Sequence, residues 1–231
     1  MTWRQPVPEI IIALDLPGDD ARRLLDRVPA ARWVKVGAIL FAREGPRLVQ
    51  ELVDRKLRVF LDLKWHDIPH TVAGAVEAAR ELGVSMATVH TLGGPEMMAA
   101  GAEAAGECLG LVGVTVLTSH SAQSYGAAVG RPGVVVLDEV ERLAASAVSA
   151  GLKGVVCSPL EVGTVRRREG SSIWIVVPGI RRPGDLAGDQ VRTATPKEAA
   201  KAGATHLVVG RPILQAADPA RVFQEMQEDA R

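Results

Sequence analysis

"RVFLDLKWHDIPHTVAGAVEAARELG", residues 58–83, joins a strand pattern directly to a helix pattern. In its first part, Phe60, Asp62 and Lys64 would all point to one side of a β-strand, because side chains alternate along a strand. The apolar residues between them would point to the other side and face a covering layer of helices. The charged pair must then find partners inside the sheet, since the burial of an unpaired charge is costly.

The second part of the stretch predicts an amphipathic helix. Val72, Val76, Ala79 and Leu82 fall on one helical face, and Gly83 supplies the stop. The whole stretch is therefore one strand followed by one helix, which is the unit from which parallel α/β folds are built.

The same unit repeats along the chain. Helical patterns separate the β-branched runs, and one of these helices opens at a capping box with proline, Thr195-Pro196-Lys197-Glu198, and closes at Gly203. The runs cover residues 9–16, 32–37, 58–65, 86–92, 110–119, 154–159, 173–180 and 206–213. Eight strands alternating with helices predict a closed (β/α)8 barrel, formed by residues 1–231 as a single domain. An open doubly wound sheet is the alternative, but no GxGxxG follows the first run.

Composition narrows the classes of function. The chain carries 27 basic and 27 acidic residues, so we expect neither a nucleic acid nor an anionic membrane as partner. No apolar window is long enough for a transmembrane helix, and MTWRQPVPEI lacks the pattern of a secretory signal, so we expect a soluble, cytoplasmic protein. Cys108 and Cys157 are too few for a disulfide framework or a zinc cage, and we expect reduced, buried thiols.

Four charged side chains are predicted at one rim of the barrel. Asp62 and Lys64 point inward near the end of the third strand, where Asp15 and Lys35 join them from the first two strands. Asp67 falls past the strand end and is free to reach another wall or another subunit. A structural ion-pair network is the plainer interpretation, but removing this many charges from water costs several kcal/mol per ion. A cluster at a barrel mouth is more often catalytic.

A phosphate site is predicted after the last two strands, where barrels of this kind often bind phosphate. Arg211 offers a bidentate fork, Gly210 allows close backbone approach, and the loop after the seventh strand carries Gln190. The two longest connections, residues 119–133 and 181–196, are rich in glycine and small polar residues, and we expect them to act as lids.

The pattern Asp62-x-Lys64-x-x-Asp67-Ile68-Pro69-x-Thr71 resembles the signature of the orotidine 5'-phosphate decarboxylase family. The resemblance extends over nearly the whole chain, with Asp15 and Lys35 in the first two strands. Further matching segments are VTVLTS (114–119), PGIR (178–181), GDQ (188–190) and VVGRPI (208–213). The departures are Trp65, His70 and the Thr91-Leu92 pair, none of which has a charged role.

The resemblance implies an enzyme that removes CO2 from C6 of orotidine 5'-monophosphate (OMP) to give UMP, the last step of de novo UMP synthesis, without a metal or organic cofactor. Lys64 would stabilise the charge at C6 and then protonate it, with Lys35 in the same network. Asp62 would lie near the departing carboxylate, acting either by repulsion or by fixing Lys64.

The resemblance also implies a homodimer, in which Asp67, Ile68 and Thr71 enter the partner's site. Asp15 and Lys35 would hold the ribose, either Thr118 or Ser119 would meet the pyrimidine, and Arg181 would be a ligand contact or a hinge contact of the loop. The expected substrate-binding set is Asp15, Lys35, Ile68, Thr71, Thr118, Ser119, Pro178, Arg181, Gln190, Gly210 and Arg211.

Two alternative functions stay open. Magnesium-dependent sugar-phosphate decarboxylases or aldolases have similar barrels with Asp-x-Lys-x-x-Asp. They have a metal-binding carboxylate at the position of Lys35, whose ammonium group would repel Mg²⁺. The other alternative is a non-catalytic barrel that binds UMP. His66 and His70 flank Pro69 at a helix start, so we do not expect them to form a metal pair. His90 would line the pocket or make a core hydrogen bond, and the four tryptophans are interpreted as packing residues.

Overall fold

The computed structural model describes residues 7–183, 185 and 192–231. Within them, eight parallel strands close into a barrel in chain order, because β1 pairs with both β2 and β8. The strands are β1 (Glu9–Ala13), β2 (Trp33–Gly37), β3 (Arg58–Trp65), β4 (Met86–His90), β5 (Gly110–Val114), β6 (Gly154–Val156), β7 (Trp174–Val177) and β8 (His206–Val209). The prediction of a (β/α)8 barrel is confirmed.

Helices follow the strands and cover the barrel. They are α1 (Gly18–Arg27), α2 (Ala38–Asp54), α3 (Pro69–Glu81), α4 (Gly94–Ala105), α5 (Ala122–Ala128), α6 (Val136–Ser149), α7 (Val162–Glu169), α8 (Pro196–Ala202), α9 (Arg211–Leu214) and α10 (Pro219–Asp229), with a 3-10 turn at Thr91–Gly93. The predicted capping box of α8 is present, and Gly203 ends that helix in the left-handed conformation. Among the helices of residues 7–183, 185 and 192–231, none is both long and apolar enough to span a bilayer.

Two apolar layers separate the inside of the barrel from its outside. Phe60 lies in the inner cluster, whereas Leu61, Leu63 and Trp65 pack in the outer layer between strands and helices. The inner cluster consists of Ile11, Ala13, Trp33, Phe60, Met86, Val112, Val176 and Val208. The alternation predicted for residues 58–65 therefore holds in its apolar part, and it leaves Asp62 and Lys64 on the inner side above Phe60.

Aromatic rings close the amino-terminal end of the barrel. Trp33 meets Trp174 edge to face at 6.4 Å and His206 at 5.2 Å between ring centroids, and each of the three is at or near the first residue of its strand. Burial, assisted by the nearby Arg58, lowers the pKa of His206 to about 4. The packing role expected of these tryptophans is confirmed, and the carboxyl end of the barrel remains open for a site.

Six strands end earlier than their apolar runs predict. The runs beginning at residues 9, 86, 110, 154, 173 and 206 leave the ladder at Ala13, His90, Val114, Val156, Val177 and Val209. The physical reason is that burial continues past the ladder, because loop residues such as Val116 and Ile180 pack at 2% and 0% exposure. A second expectation was wrong: Cys157 is buried, but Cys108 is exposed, in the turn between α4 and β5.

The connection after β5 is folded rather than irregular. It contains α5, whose buried Tyr125 donates a hydrogen bond to Glu139 Oε2 of α6 at 3.4 Å, and Arg131 forms an ion pair with Glu139 at 2.8 Å. These contacts attach the connection to the barrel. Its action as a lid stays a prediction.

Candidate active site

The four charged side chains predicted at the rim lie together at the carboxyl ends of β1, β2 and β3. The Lys35 ammonium group is 3.2 Å from Asp15 Oδ1 and 3.7 Å from Asp62 Oδ2. Lys64 Nζ donates a hydrogen bond to Asp62 Oδ1 at 2.9 Å. The Asp62 side chain, only 13% exposed, is thus held between two ammonium groups, and charge alternates along the cluster.

The backbone of β3 is irregular where it presents Lys64. Leu61 pairs with Ala87 and Trp65 with Val89, so three residues of β3 bulge opposite one residue of β4. Lys64 has φ of +52°, a left-handed conformation that costs a non-glycine residue about 1–3 kcal/mol. Such strain persists only where surrounding contacts hold it, and it often marks a functional residue.

Thr88 of β4 occupies the position opposite this bulge. Its hydroxyl accepts a hydrogen bond from the Lys64 backbone N–H at 2.8 Å and donates one to Asp62 Oδ1 at 3.0 Å. The residue is fully buried. Sequence reasoning missed Thr88, although alternation in the run MATVHTL places it on the same inward side as Met86.

Gly37, at the end of β2, is a second site residue that the sequence analysis did not predict. A Cβ atom there would lie 3.0 Å from Lys35 Nζ and 3.5 Å from Asp15 Oδ1. A larger residue would therefore press on the ammonium group. A glycine two residues after the inward-pointing lysine was the available signal.

A cavity of about 510 Å³ opens beside the charge cluster, within the size range of small-molecule sites. Asp15, Lys35, Asp62 and Lys64 all line it. The other predicted residues that line it are Thr118, Ser119, Pro178, Arg181, Gly210 and Arg211. Leu214, Gln215 and Cys157 line it without having been predicted, and burial raises the pKa of the Cys157 thiol.

The cavity wall carries two guanidinium groups besides the lysines. Arg211 is the first residue of α9, directly after Gly210 at the end of β8. Arg181 is 8% exposed and donates a hydrogen bond to the Ile180 carbonyl at 2.8 Å. This wall suits an anionic group such as a phosphate. Gln190, the remaining predicted phosphate contact, lies outside the described residues.

Asp67, Ile68 and Thr71 do not line the cavity of their own chain. All three are exposed, Ile68 by 65%. Asp67 Oδ1 accepts a hydrogen bond from the Ile68 N–H at 2.6 Å, which fixes the carboxylate at the start of α3. One chain alone therefore brings together the Asp15, Lys35, Asp62 and Lys64 part of the predicted site.

The histidines lie beside the charge cluster. His90 and His66 stack with their ring centroids 5.7 Å apart, and His90 Nδ1 accepts a hydrogen bond from the Leu92 N–H at 3.3 Å. Burial, assisted by electrostatic interactions with the neighbouring His66 and Lys64, lowers the pKa of His90 to about 4. Of the two roles expected for His90, lining the cavity is not observed, and its hydrogen bond is a local one that caps the 3-10 turn rather than a core contact.

The donor set bears on the magnesium-dependent alternative. The ammonium group of Lys35 lies between the carboxylates of Asp15 and Asp62. A divalent cation bound here would need the same carboxylate oxygen atoms as ligands. The site is thus built around a fixed protein cation.

The chain is similar to known proteins over nearly its whole length. The family model described as "Orotidine 5'-phosphate decarboxylase / HUMPS family" matches residues 8–226. An orotidine 5'-phosphate decarboxylase of Halorhodospira halophila is 49% identical over 221 residues, which are 92% of each chain. That of Hydrogenovibrio crunogenus is 46% identical, over 96% of this chain and 95% of its own. The crystal structure of orotidine 5'-phosphate decarboxylase from Lactobacillus acidophilus superposes with a TM-score of 0.85 at 34% identity, covering 96% of this chain and 99% of that one.

Proposed function

The chain belongs to the orotidine 5'-phosphate decarboxylase / HUMPS family, and on that premise we infer that it is a carboxy-lyase that converts OMP to UMP and CO2 in pyrimidine biosynthesis. The observation that carries this inference is the Lys64 ammonium group, bonded to Asp62 at 2.9 Å and lining a cavity of nucleotide size. The activity for which these relatives are named and the chemistry of the cluster indicate the same reaction.

The reaction is difficult for an electronic reason. When CO2 leaves C6, the remaining electron pair lies in the plane of the pyrimidine ring and cannot spread into the π system. Fixed charge must therefore stabilise it. We assign this role to Lys64, which also donates the proton that replaces CO2 at C6.

Asp62 and Lys35 complete the charged centre in this proposal. Asp62 holds the lysine through the 2.9 Å hydrogen bond and faces the carboxylate that leaves. Lys35 offsets the charge of Asp62 from the other side at 3.7 Å and, with Asp15, binds the ribose hydroxyls. Because the charges are in place before the substrate arrives, little reorganisation is needed during the reaction.

The substrate's phosphate would bind at Gly210 and Arg211, with Gln190 from the preceding loop. Pro178 and Arg181 line the same cavity, and Thr118 or Ser119 would contact the pyrimidine. Binding energy from the phosphate can then orient and desolvate the reacting end of the molecule.

We propose that two copies of the chain share their active sites, with Asp67 of one copy completing the charge cluster of the other. The support is that Asp67, Ile68 and Thr71 are exposed and lie off the cavity of their own chain. An exposed isoleucine beside a fixed carboxylate is suited to an interface.

Mixing two inactive variants tests the shared site. Lys64→Ala and Asp67→Asn homodimers should each be inactive, but a hybrid dimer has one site with both residues intact. Random exchange of equal amounts should restore about a quarter of wild-type activity. A mixture that stays inactive after verified subunit exchange would show that Asp67 acts within its own chain.

An assay of OMP decarboxylation with and without EDTA tests the activity itself. We expect full turnover in EDTA. Loss of turnover on chelation would favour the magnesium-dependent alternative, and UMP binding without turnover would favour the non-catalytic barrel. Action in the cytoplasm remains a prediction from the sequence.

A further inference from the structure

We propose that Thr88 is a positioning residue of the decarboxylation, because its hydroxyl holds Lys64 in the strained backbone conformation that aims the ammonium group. The inference rests on the role proposed above for Lys64. Thr88 would not touch the substrate, since it is fully buried and is not among the described residues that line the cavity.

The strain at Lys64 needs a specific stabilising contact. The bulge in β3 sets residues 62–64 against a single residue of β4. The carbonyl groups of β4 are therefore too few to accept a hydrogen bond from every N–H of the bulge. The Thr88 hydroxyl accepts the Lys64 N–H at 2.8 Å in place of such a carbonyl. The left-handed residue thus has its buried N–H satisfied by a side chain.

The same hydroxyl acts on the lysine by a second route. A hydroxyl that accepts from an N–H keeps its own proton for donation, and here it donates to Asp62 Oδ1 at 3.0 Å. That oxygen also accepts the Lys64 Nζ bond at 2.9 Å. One buried hydroxyl therefore fixes both ends of Lys64, the backbone directly and the ammonium group through Asp62.

This arrangement predicts a particular kinetic change. Without the hydroxyl, the lysine backbone can relax out of its bulged conformation and Asp62 loses one of its donors. The phosphate and ribose contacts lie on other strands and stay in place, so the substrate should still bind. A displaced reacting group costs turnover steeply, by roughly a hundredfold for a 1 Å error.

Thr88→Val is the central variant, because valine keeps the shape of threonine and removes the hydroxyl. Thr88→Ser is the rescue variant, because it restores the hydroxyl. Thr91→Val is the matched control: Thr91 is also buried and donates a hydrogen bond, at 2.8 Å, but to the Val114 carbonyl outside the charge cluster. For each protein, kcat and KM for OMP, UMP affinity and the thermal unfolding midpoint are measured.

We expect Thr88→Val to lower kcat by roughly ten- to a hundredfold, with KM and UMP affinity within about threefold of wild type. Thr88→Ser should recover most of the kcat, and Thr91→Val should lose stability without losing turnover. If Thr88→Val does not fold, Thr88→Ala provides the same comparison with Thr88→Ser.

The inference is overturned if a folded variant without the hydroxyl keeps wild-type kcat, if serine gives no rescue, or if the loss appears only in KM. Each of these results leaves the wild-type activity standing. Absence of OMP turnover in the wild type would instead overturn the proposed function.

Discussion

Replacing Lys64 with alanine should abolish turnover of OMP while leaving UMP bound. The side chain is 39% exposed, lines the cavity and makes its hydrogen bond to Asp62, so its removal leaves the barrel core intact. Asp15, Lys35 and Arg211, which we propose as the ribose and phosphate contacts, are other side chains of the same cavity. Ground-state binding should therefore survive the loss of the ammonium group.

The magnitude follows from charge and geometry. Lys64 is half-buried, so an effective dielectric constant of about 20 applies, and an ammonium group about 3 Å from a developing anion then contributes about 5 kcal/mol. That corresponds to roughly four powers of ten in rate. Proton donation adds typically about 10²- to 10⁴-fold, although the two effects of one group do not simply add. We therefore expect kcat to fall by at least about 10⁴-fold.

The assay is the release of labelled CO2 from OMP, with UMP affinity measured by calorimetry on the same preparations. Lys201→Ala removes an exposed lysine from α8 and is the matched control, for which we expect wild-type rates. A Lys64→Ala protein that binds UMP and still turns over OMP within about tenfold of wild type would refute the assignment of Lys64.

Three further outcomes are expected. Orotidine, which lacks the phosphate, should be a far poorer substrate of the wild type than OMP, and Arg211→Ala should have a similarly low kcat/KM with OMP. Equal kcat/KM of the wild type for the two substrates would contradict the proposed phosphate site. Gly154→Ala should unfold at a much lower temperature than wild type in a thermal melt, since its Cβ would lie 2.0 Å from the Trp174 carbonyl oxygen. Gly74→Ala is the matched control, because a Cβ there meets open space in α3, and its free energy of unfolding should rise by about 0.5–1 kcal/mol. The pKa of His206 is lowered to about 4 in the folded protein, so this residue stays neutral there while the unfolded chain binds a proton below about pH 6.5. Acidification from pH 7 to pH 4 should therefore lower the free energy of unfolding by about 3 kcal/mol through His206 alone, as measured by urea titrations. His206→Gln should reduce this dependence of the unfolding free energy on pH, and an unchanged dependence would argue against the role of His206.

Much of the barrel could be predicted because its signals are local. Phe60 and Leu61 go to opposite layers as the alternation predicts, and α3 buries Val72 and Val76 as its period predicts. Side-chain direction in a strand or helix depends on the backbone of a few neighbouring residues, so a single sequence carries it. The count of strand–helix units then leaves few ways to close the sheet.

Other features depend on residues that are distant in the chain. Apolar runs overshoot the strand ends because Val116 and Ile180, which lie past those ends, are buried in the main core against residues that the runs themselves do not contain. Cys108 was expected to be buried, but it lies in an exposed turn that follows from how α4 connects to β5. Burial of such residues is set by packing of whole elements, which a local pattern does not describe.

The amino-acid sequence by itself determined which charged residues meet at the rim, because the three strands that carry them are parallel and their carboxyl ends must come to the same edge of the barrel. Only the tertiary structure decided how Lys64 is held, with φ of +52°, an irregular register against β4 and a hydroxyl from Thr88. The physical reason is that a strained backbone has no sequence signature of its own. It exists where contacts from another strand, 24 residues away in the chain, stabilise it more than the strain costs.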